Sequence, residues 1–72
     1  MEKQQLLKKI GKEMRKLRRE RGLTLFDLEA MTDISKKQLL KIEQGKANLT
    51  TYSLYKLAIS LEMDIEKVFN VN

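Results

Sequence analysis

Proline is absent from the chain, and glycine occurs at only three positions, Gly11, Gly22 and Gly45. Leu, Lys, Glu, Gln, Arg and Met predominate among the other residues, and all six have high intrinsic helix propensity. The β-branched residues are scattered and never alternate with polar residues over the length of a strand. We therefore predict an all-α protein.

The 72 residues allow one domain, which we place over residues 1–72 with a core from about 6 to 69. A domain of this size buries only about 60% of the surface of its unfolded chain, and without cysteine it has no disulfide. Dimerisation is the remaining common source of stability. The absence of both His and Cys excludes ordinary zinc sites and Ser–His or Cys–His catalysis. We predict neither an enzyme nor a protein with a metal or cofactor.

The apolar stretches are at most two or three residues long, far shorter than a membrane span. No apolar run of the length found in a secretory signal follows the charged N-terminus. We therefore predict a cytoplasmic protein without a membrane segment.

Apolar residues recur every three to four positions near the N-terminus, which predicts an amphipathic helix from about Lys3 to Arg21. Gly22 would end this helix in a left-handed conformation. Gly11, inside it, would let a neighbouring helix come close. The predicted buried stripe consists of Leu6, Leu7, Ile10, Met14 and Leu17.

Two short helices with a tight turn between them come next, the spacing of a helix-turn-helix. Thr24 is a good N-cap for the first, with Asp27 completing a capping box, and Ser35 caps the second in the same way with Gln38. Asp33, in the turn, is the residue most able to adopt a left-handed conformation. The predicted core residues of the two helices are Leu28, Leu39 and Ile42, and the second of the two helices ends at Gly45.

A loop over residues 46–50 leads to a fourth helix that Thr50 or Thr51 caps and that reaches about Leu61. Asp64 caps a short fifth helix. The predicted core residues of the fourth helix are Leu54, Leu57, Ala58 and Leu61, and those of the fifth are Ile65, Val68 and Phe69. The chain should thus fold as a compact five-helix domain.

The net charge of +5 is concentrated in two segments of the chain. Residues 1–21 hold nine bases and three acids, and residues 35–48 hold four bases and one acid. Residues 22–34, between them, hold three acids and no base. This asymmetry indicates a surface that faces a polyanion. The second segment is the more informative, because its bases lie on or just after a helix of the helix-turn-helix, whereas many bases of the first could form a solvated face.

The extended residue pattern resembles the phage repressor and Cro-type, or XRE-like, helix-turn-helix family. The most specific part is the Ile-Glu-Gln-Gly-Lys sequence of residues 42–46 followed by Asn48, and the resemblance covers about residues 10–69. The chain is similar to short single-domain members such as the restriction–modification controller proteins. The resemblance implies a lambda repressor-like DNA-binding domain. It further implies a transcriptional regulator that binds a palindromic operator as a homodimer, with residues 35–44 as the recognition helix in the major groove.

The resemblance places base-reading residues on the exposed side of this recognition helix. An ammonium group can donate to guanine, an amide can pair with adenine, and an apolar side chain can meet a thymine methyl. Gln38 has an alternative role in capping the helix. The residues predicted to contact bases are Lys36, Lys37, Gln38, Leu40 and Lys41.

Residues at the helix ends are predicted to contact phosphates, which position a protein on DNA without reading its sequence. The hydroxyl residues among them have an alternative role as helix caps, and Thr50 and Thr51 could divide the two roles. The predicted set is Thr24, Ser35, Lys46, Asn48, Thr50, Thr51 and Tyr52.

The resemblance also pairs Arg18 of the first helix with Glu43 of the third, in a structural salt bridge rather than a DNA contact. Leu25 departs from the family pattern, because it stands where a Gln commonly contacts phosphate. Glu29 stands where an Ala commonly packs between the two helices. Leu25, Phe26 and Leu40 make the helix-turn-helix more apolar outside than expected, which indicates either partial burial or a protein-binding surface.

The fourth helix carries a second apolar stripe beside its core residues. A contiguous patch of this kind often marks a protein contact, although these residues could also simply flank the core. A dimer would place two recognition helices about 34 Å apart, one turn of B-DNA. The predicted dimer interface consists of Tyr52, Tyr55, Ile59, Leu61, Met63, Ile65 and Val71.

Double-stranded DNA and a second copy of the chain are therefore the predicted partners. The alternative is an antitoxin-type or other protein-interaction module, with a further protein as main partner and DNA binding as a secondary property. We expect such a module to carry a long partner-binding extension, and the sequence shows none after residue 69. Acids such as Glu13 and Glu29 form no cluster with a base or nucleophile, which disfavours an enzyme.

Overall fold

The computed structural model describes residues 2–69, and this part of the chain contains five helices and no strand. The helices are α1 (Lys3–Glu20), α2 (Leu25–Thr32), α3 (Lys36–Glu43), α4 (Thr51–Leu61) and α5 (Ile65–Phe69). The prediction of an all-α, five-helix domain is confirmed. None of the helices within residues 2–69 combines the length and apolar character that crossing a lipid bilayer requires.

The core lies where α1 contacts α3, α4 and α5, and where α2 contacts α3 and α4. Its buried apolar residues come from every helix and from the connections before α4 and α5: Ile10, Met14, Leu28, Leu39, Ile42, Ala47, Leu57, Leu61, Met63 and Val68. The prediction that Phe69 faces inward is wrong, because its side chain is 40% exposed. In the short helix α5, Val68 provides the buried contact and leaves Phe69 at the surface.

Gly11 brings α1 close to the C-terminal end of α3. A Cβ atom built on this glycine would lie 2.6 Å from the carbonyl oxygen of Glu43, and nearer still to that of Ile42. No side chain fits such a gap, so the predicted close approach is confirmed. This contact sets how closely the C-terminal end of α3 approaches α1.

The connection between α1 and α2 follows the predicted capping pattern. Helix α1 ends at Glu20, and Gly22 adopts a left-handed conformation with φ of 66°. The Thr24 hydroxyl then accepts a hydrogen bond from the Asp27 amide at 3.0 Å, and the Asp27 carboxylate accepts one from the Thr24 amide at 2.8 Å. These two bonds start α2 at Leu25.

The turn between α2 and α3 is held from two sides. Asp33 has the predicted left-handed conformation, with φ of 61°. Thr32 is buried, and its hydroxyl donates to the Leu28 carbonyl at 2.7 Å while accepting from the Ile34 amide at 3.2 Å. The Lys56 ammonium of α4 donates to the Thr32 carbonyl at 3.0 Å. The angle between the two helices therefore rests on specific hydrogen bonds as well as on packing.

Candidate nucleic-acid interface

One side of α3 faces away from the protein. Leu39 and Ile42 are buried in the core, so residues on the opposite side point outward. The exposed residues recur at helical spacing and form a continuous strip, here called the α3 strip, which consists of Lys36, Lys37, Leu40, Lys41 and Gln44. Four of them were predicted to contact bases. Gln44 was not among the predicted residues, although its position four residues after Leu40 indicates the same exposed side.

Gln38 lies at the border of the α3 strip and is half-buried. The backbone N–H of Gln38 donates to the Ser35 hydroxyl at 3.2 Å, so Ser35 caps α3 as predicted. The predicted capping box is therefore only half formed, because within residues 2–69 the Gln38 side chain makes no return bond to the Ser35 backbone. Both remain candidates for a DNA contact, Gln38 with the smaller accessible surface.

Glu29 provides a second cap for α3, from the preceding helix. Its carboxylate accepts a hydrogen bond from the Lys36 amide at 2.8 Å. The resemblance singled out Glu29 because it stands where an Ala commonly packs between the two helices, but it did not predict this bond across the turn. Glu29 and Ser35 together satisfy two of the first three amides of α3. The helix N-terminus therefore offers little to a phosphate, and the lysine side chains are the stronger attraction.

Phe26 lies in front of the same end of α3. Its ring is 65% exposed, and the Lys36 ammonium sits 4.3 Å from the ring centroid, within the range of a cation–π interaction. Leu40 is 45% exposed, whereas Leu25 is half-buried. Partial burial thus explains why position 25 holds an apolar residue, but it does not explain the apolar side chains of Phe26 and Leu40.

The loop after α3 presents polar side chains from a fixed backbone. Gly45 is left-handed, with φ of 72°, and the Lys46 amide donates to the Lys41 carbonyl at 2.9 Å. Ala47 is buried, whereas Lys46 and Asn48 on either side of it are exposed. The two predicted phosphate-contacting residues of the loop are therefore accessible and held close to the end of α3.

The hydroxyl residues divide their roles as the capping patterns suggested. The Thr50 hydroxyl accepts from the Ser53 amide at 3.0 Å and contacts the Ser53 hydroxyl at 3.0 Å, so Thr50 is the N-cap of α4. Thr24 has the same role for α2. Thr51 and Tyr52 occupy the exposed first turn of α4 and are accessible to a phosphate. The Lys56 ammonium, however, lies 4.9 Å from the centroid of the Tyr52 ring.

Arg18 and Glu43 form the predicted salt bridge behind the α3 strip. Arg18 Nε lies 2.6 Å from Glu43 Oε2, and Arg18 Nη2 donates to Glu43 Oε1 at 3.1 Å. Arg18 Nη1 also donates to the Leu23 carbonyl at 2.9 Å. The hydrogen bonding that Arg18 donates to the Glu43 carboxylate raises the pKa of Arg18 above its ordinary value. The pair therefore connects α1, the start of the helix-turn-helix and the end of α3, and it is not available to DNA.

The candidate dimer interface is smaller than predicted and includes one new residue. Leu61 and Met63 are 0% and 6% exposed, so both belong to the core of the monomer rather than to its surface. Ile65 is half-buried, and Val71 lies outside the described residues. The exposed apolar residues of α4 and α5, here called the α4–α5 patch, are Tyr52, Tyr55, Ile59 and Phe69. Phe69 was missed because it was assigned to the core.

Within the described residues 2–69, no cluster of three or more His, Cys, Asp or Glu side chains could hold a metal ion. The candidate interface is accordingly built from lysines, amides, hydroxyls and exposed apolar side chains.

The comparisons with known proteins agree with this geometry. The sequence pattern of the family described as "Helix-turn-helix domain" matches residues 11–72. An uncharacterised HTH-type transcriptional regulator of Sinorhizobium fredii, y4dJ, is 41% identical over 54 residues, which span 75% of this chain and 70% of that protein.

Among solved structures, the fold is similar to that of the restriction–modification controller protein C.AhdI from Aeromonas hydrophila. The TM-score is 0.78 at 27% sequence identity, and the superposition covers 88% of this chain and 96% of the other. The family match over residues 11–72 includes both helices of the helix-turn-helix, their caps and the α3 strip. The chain belongs to the XRE-type helix-turn-helix family.

Proposed function

We propose that the protein is a sequence-specific transcriptional regulator that binds DNA through the α3 strip. The observation that carries this proposal is the exposure of Lys36, Lys37 and Lys41 on one side of a helix whose other side is buried. Lys37 and Lys41 form no salt bridge with any side chain of residues 2–69. Their charge is therefore available to a polyanion.

In this proposal α3 lies in the major groove with its N-terminal half toward the base edges. Lys37 and Lys41 donate to guanine O6 and N7, and Leu40 between them contacts a thymine methyl. Gln44 lies four residues after Leu40, at the C-terminal end of the α3 strip, and completes this DNA-facing surface. Gln38 has a smaller part, because it is half-buried.

The loop and the start of α4 hold the protein on the DNA backbone. Lys46 and Asn48 are exposed directly after α3, and Thr51 and Tyr52 are exposed on the next helix. Phosphate contacts of this kind set the position of a protein on the duplex without reading sequence. Thr24, Ser35 and Thr50 could add to them while keeping their capping bonds.

We further propose that the protein binds a palindromic operator as a homodimer. The α4–α5 patch supports this step, since Tyr52, Tyr55 and Ile59 are each more than half exposed and Phe69 is 40% exposed. Burying such a patch in a symmetric contact is favourable. A two-fold axis there would present two copies of α3 to successive major grooves, about 34 Å apart. The proposal includes the predicted cytoplasmic location, because the protein has to reach DNA.

Selection of bound duplexes from a random DNA library tests the proposal. We expect a consensus with two inverted half-sites whose centres are about one helical turn apart. A consensus with a single half-site would support DNA recognition and contradict the dimer. No enrichment at all, with a protein shown to be folded by circular dichroism, would contradict the DNA-binding function.

A further inference from the structure

We propose that Phe26 determines specificity by positioning Lys36, so that the first residue of the recognition helix is directed to the base edges before DNA arrives. This inference rests on the proposed DNA-binding function and adds a role for a residue of α2. The contact between the Lys36 ammonium and the Phe26 ring, at 4.3 Å, is its starting point.

The ring and a carboxylate from the same helix act on one lysine. Phe26 and Glu29 are three residues apart, which places them on the same side of α2. Glu29 accepts the backbone N–H of Lys36 at 2.8 Å, and Phe26 holds the side-chain ammonium. Lys36 is thus fixed at both its backbone and its charged end, whereas an exposed lysine ordinarily samples many rotamers.

A lysine held in this way keeps the donors that base recognition needs. An ammonium group has three N–H donors, and a contact with a ring face occupies one side of the group. The remaining donors suit the two acceptors of guanine, O6 and N7. Because the side chain is already ordered, less rotamer freedom is lost on binding, which is the basis of preorganisation.

Packing within the protein does not explain why an aromatic residue stands at position 26. Its ring is 65% exposed, and it stands at the second position of α2, beside the half-buried Leu25 that completes the packing there. An exposed aromatic ring that contacts the ammonium of a proposed base-reading lysine is expected to act through that lysine. Substitutions of Phe26 should therefore change DNA recognition while leaving the fold in place.

The experiment is a double-mutant cycle on DNA affinity, measured by fluorescence anisotropy. The duplex selected by the wild-type protein and a scrambled duplex of equal length are titrated with the wild type, Phe26→Leu, Lys36→Met and the double variant. A cation–π contact at an exposed site corresponds to about a two- to five-fold change in affinity. We expect Phe26→Leu to weaken binding to the selected duplex by this factor, and not to weaken binding to the scrambled one.

Two further variants separate positioning from a general effect. Phe26→Tyr keeps an aromatic ring and should bind the selected duplex within about two-fold of the wild type, since both rings attract cations. Met31→Leu changes an exposed apolar residue of the same helix that is 50% exposed, and it should leave both affinities unchanged. In the Lys36→Met background, Phe26→Leu should have no further effect.

An equal loss on both duplexes would overturn the inference, and so would the same loss from Phe26→Leu when Lys36 is already replaced. Tighter binding by Phe26→Leu would also overturn it, because the ring would then withhold the lysine from DNA. If the wild type prefers no duplex over the scrambled one, the DNA-binding proposal itself fails. If the wild type discriminates and Phe26→Leu discriminates equally, only the role of Phe26 fails.

Discussion

Arg18 and Glu43 are joined by a two-bond ion pair that is almost entirely withdrawn from water: the Glu43 side chain is 4% exposed and the Arg18 side chain 13%. Glu43 is the last residue of α3. Helix α3 is therefore fixed to α1 at its C-terminal end by charge, and fixed to α2 at its N-terminal end by Glu29.

We expect Arg18→Met to destabilise the fold strongly, because it leaves the Glu43 carboxylate buried without its partner. The loss of unfolding free energy should be about 3–5 kcal/mol, measured by urea denaturation. The double variant Arg18→Met with Glu43→Leu should recover much of the lost stability, because no unpaired charge remains buried. A single variant as stable as the wild type would show that the pair contributes nothing to the fold.

Gly11→Ala should also destabilise the protein, although alanine is the better helix former by about 1 kcal/mol. The new methyl group would lie against the carbonyl oxygens of Ile42 and Glu43, so α1 and α3 would have to move apart. Overpacking of this kind costs about 1–3 kcal/mol, and the net change in the thermal midpoint should be negative. Lys12→Ala, at the adjacent exposed position, is the control and should change it little. A midpoint raised by Gly11→Ala would contradict the close approach.

The capping box of α2 should make part of the stability depend on pH. The backbone hydrogen bond from Thr24, followed by its side-chain bond, lowers the pKa of Asp27 below the ordinary value of 3.8. As pH falls, the unfolded chain takes up the proton first, so this contribution is complete above pH 3.8 and is lost as pH falls through the lowered pKa.

The measurement is urea denaturation at several pH values between 5 and roughly 2, the range in which carboxylates titrate. The wild type should lose more stability over this range than Asp27→Asn, in which the titrating group is absent. Identical pH profiles for the two proteins would show that the Asp27 bond to Thr24 does not stabilise the folded state.

Lysines of the α3 strip and of the loop should differ in their effects on DNA binding. Lys37→Ala or Lys41→Ala should cost about 1–3 kcal/mol on the selected duplex and reduce the preference over random DNA. Lys46→Ala should weaken binding to all duplexes alike and lower the salt slope by about one.

Anisotropy titrations at several salt concentrations distinguish these two classes. Lys3→Ala, in the first turn of α1, removes the same charge outside the proposed interface and is the control. Equal losses on selected and random DNA would assign Lys37 and Lys41 to the phosphate contacts. An unchanged salt slope in Lys46→Ala would remove Lys46 from the interface.

The α4–α5 patch should mediate self-association. Ile59→Asp introduces a charge where a 59% exposed side chain would be buried by the second copy, so the variant should sediment as a monomer at concentrations where the wild type is a dimer. Met31→Asp, at an exposed apolar site outside the patch, should leave the dimer intact. If Ile59→Asp sediments like the wild type while that wild type is dimeric, the interface lies elsewhere.

The local sequence determined where the helices begin and end. Gly22, Thr24, Asp33 and Ser35 act through bonds and backbone conformations that involve only their near neighbours, so their roles could be predicted without a fold. The periodic apolar residues of α1 and the glycine at position 11 likewise indicated a buried stripe and a close neighbour. These features are local because capping and helical periodicity depend on spacing along the chain.

Only the tertiary structure decided what each surface contains. Met63 belongs to the core and Phe69 does not, because burial depends on which helix packs opposite each residue. The contacts of Lys36 with Glu29 and Phe26 also cross the turn between two helices. Spacing within one helix cannot predict such contacts, since they arise from the angle at which α2 and α3 meet.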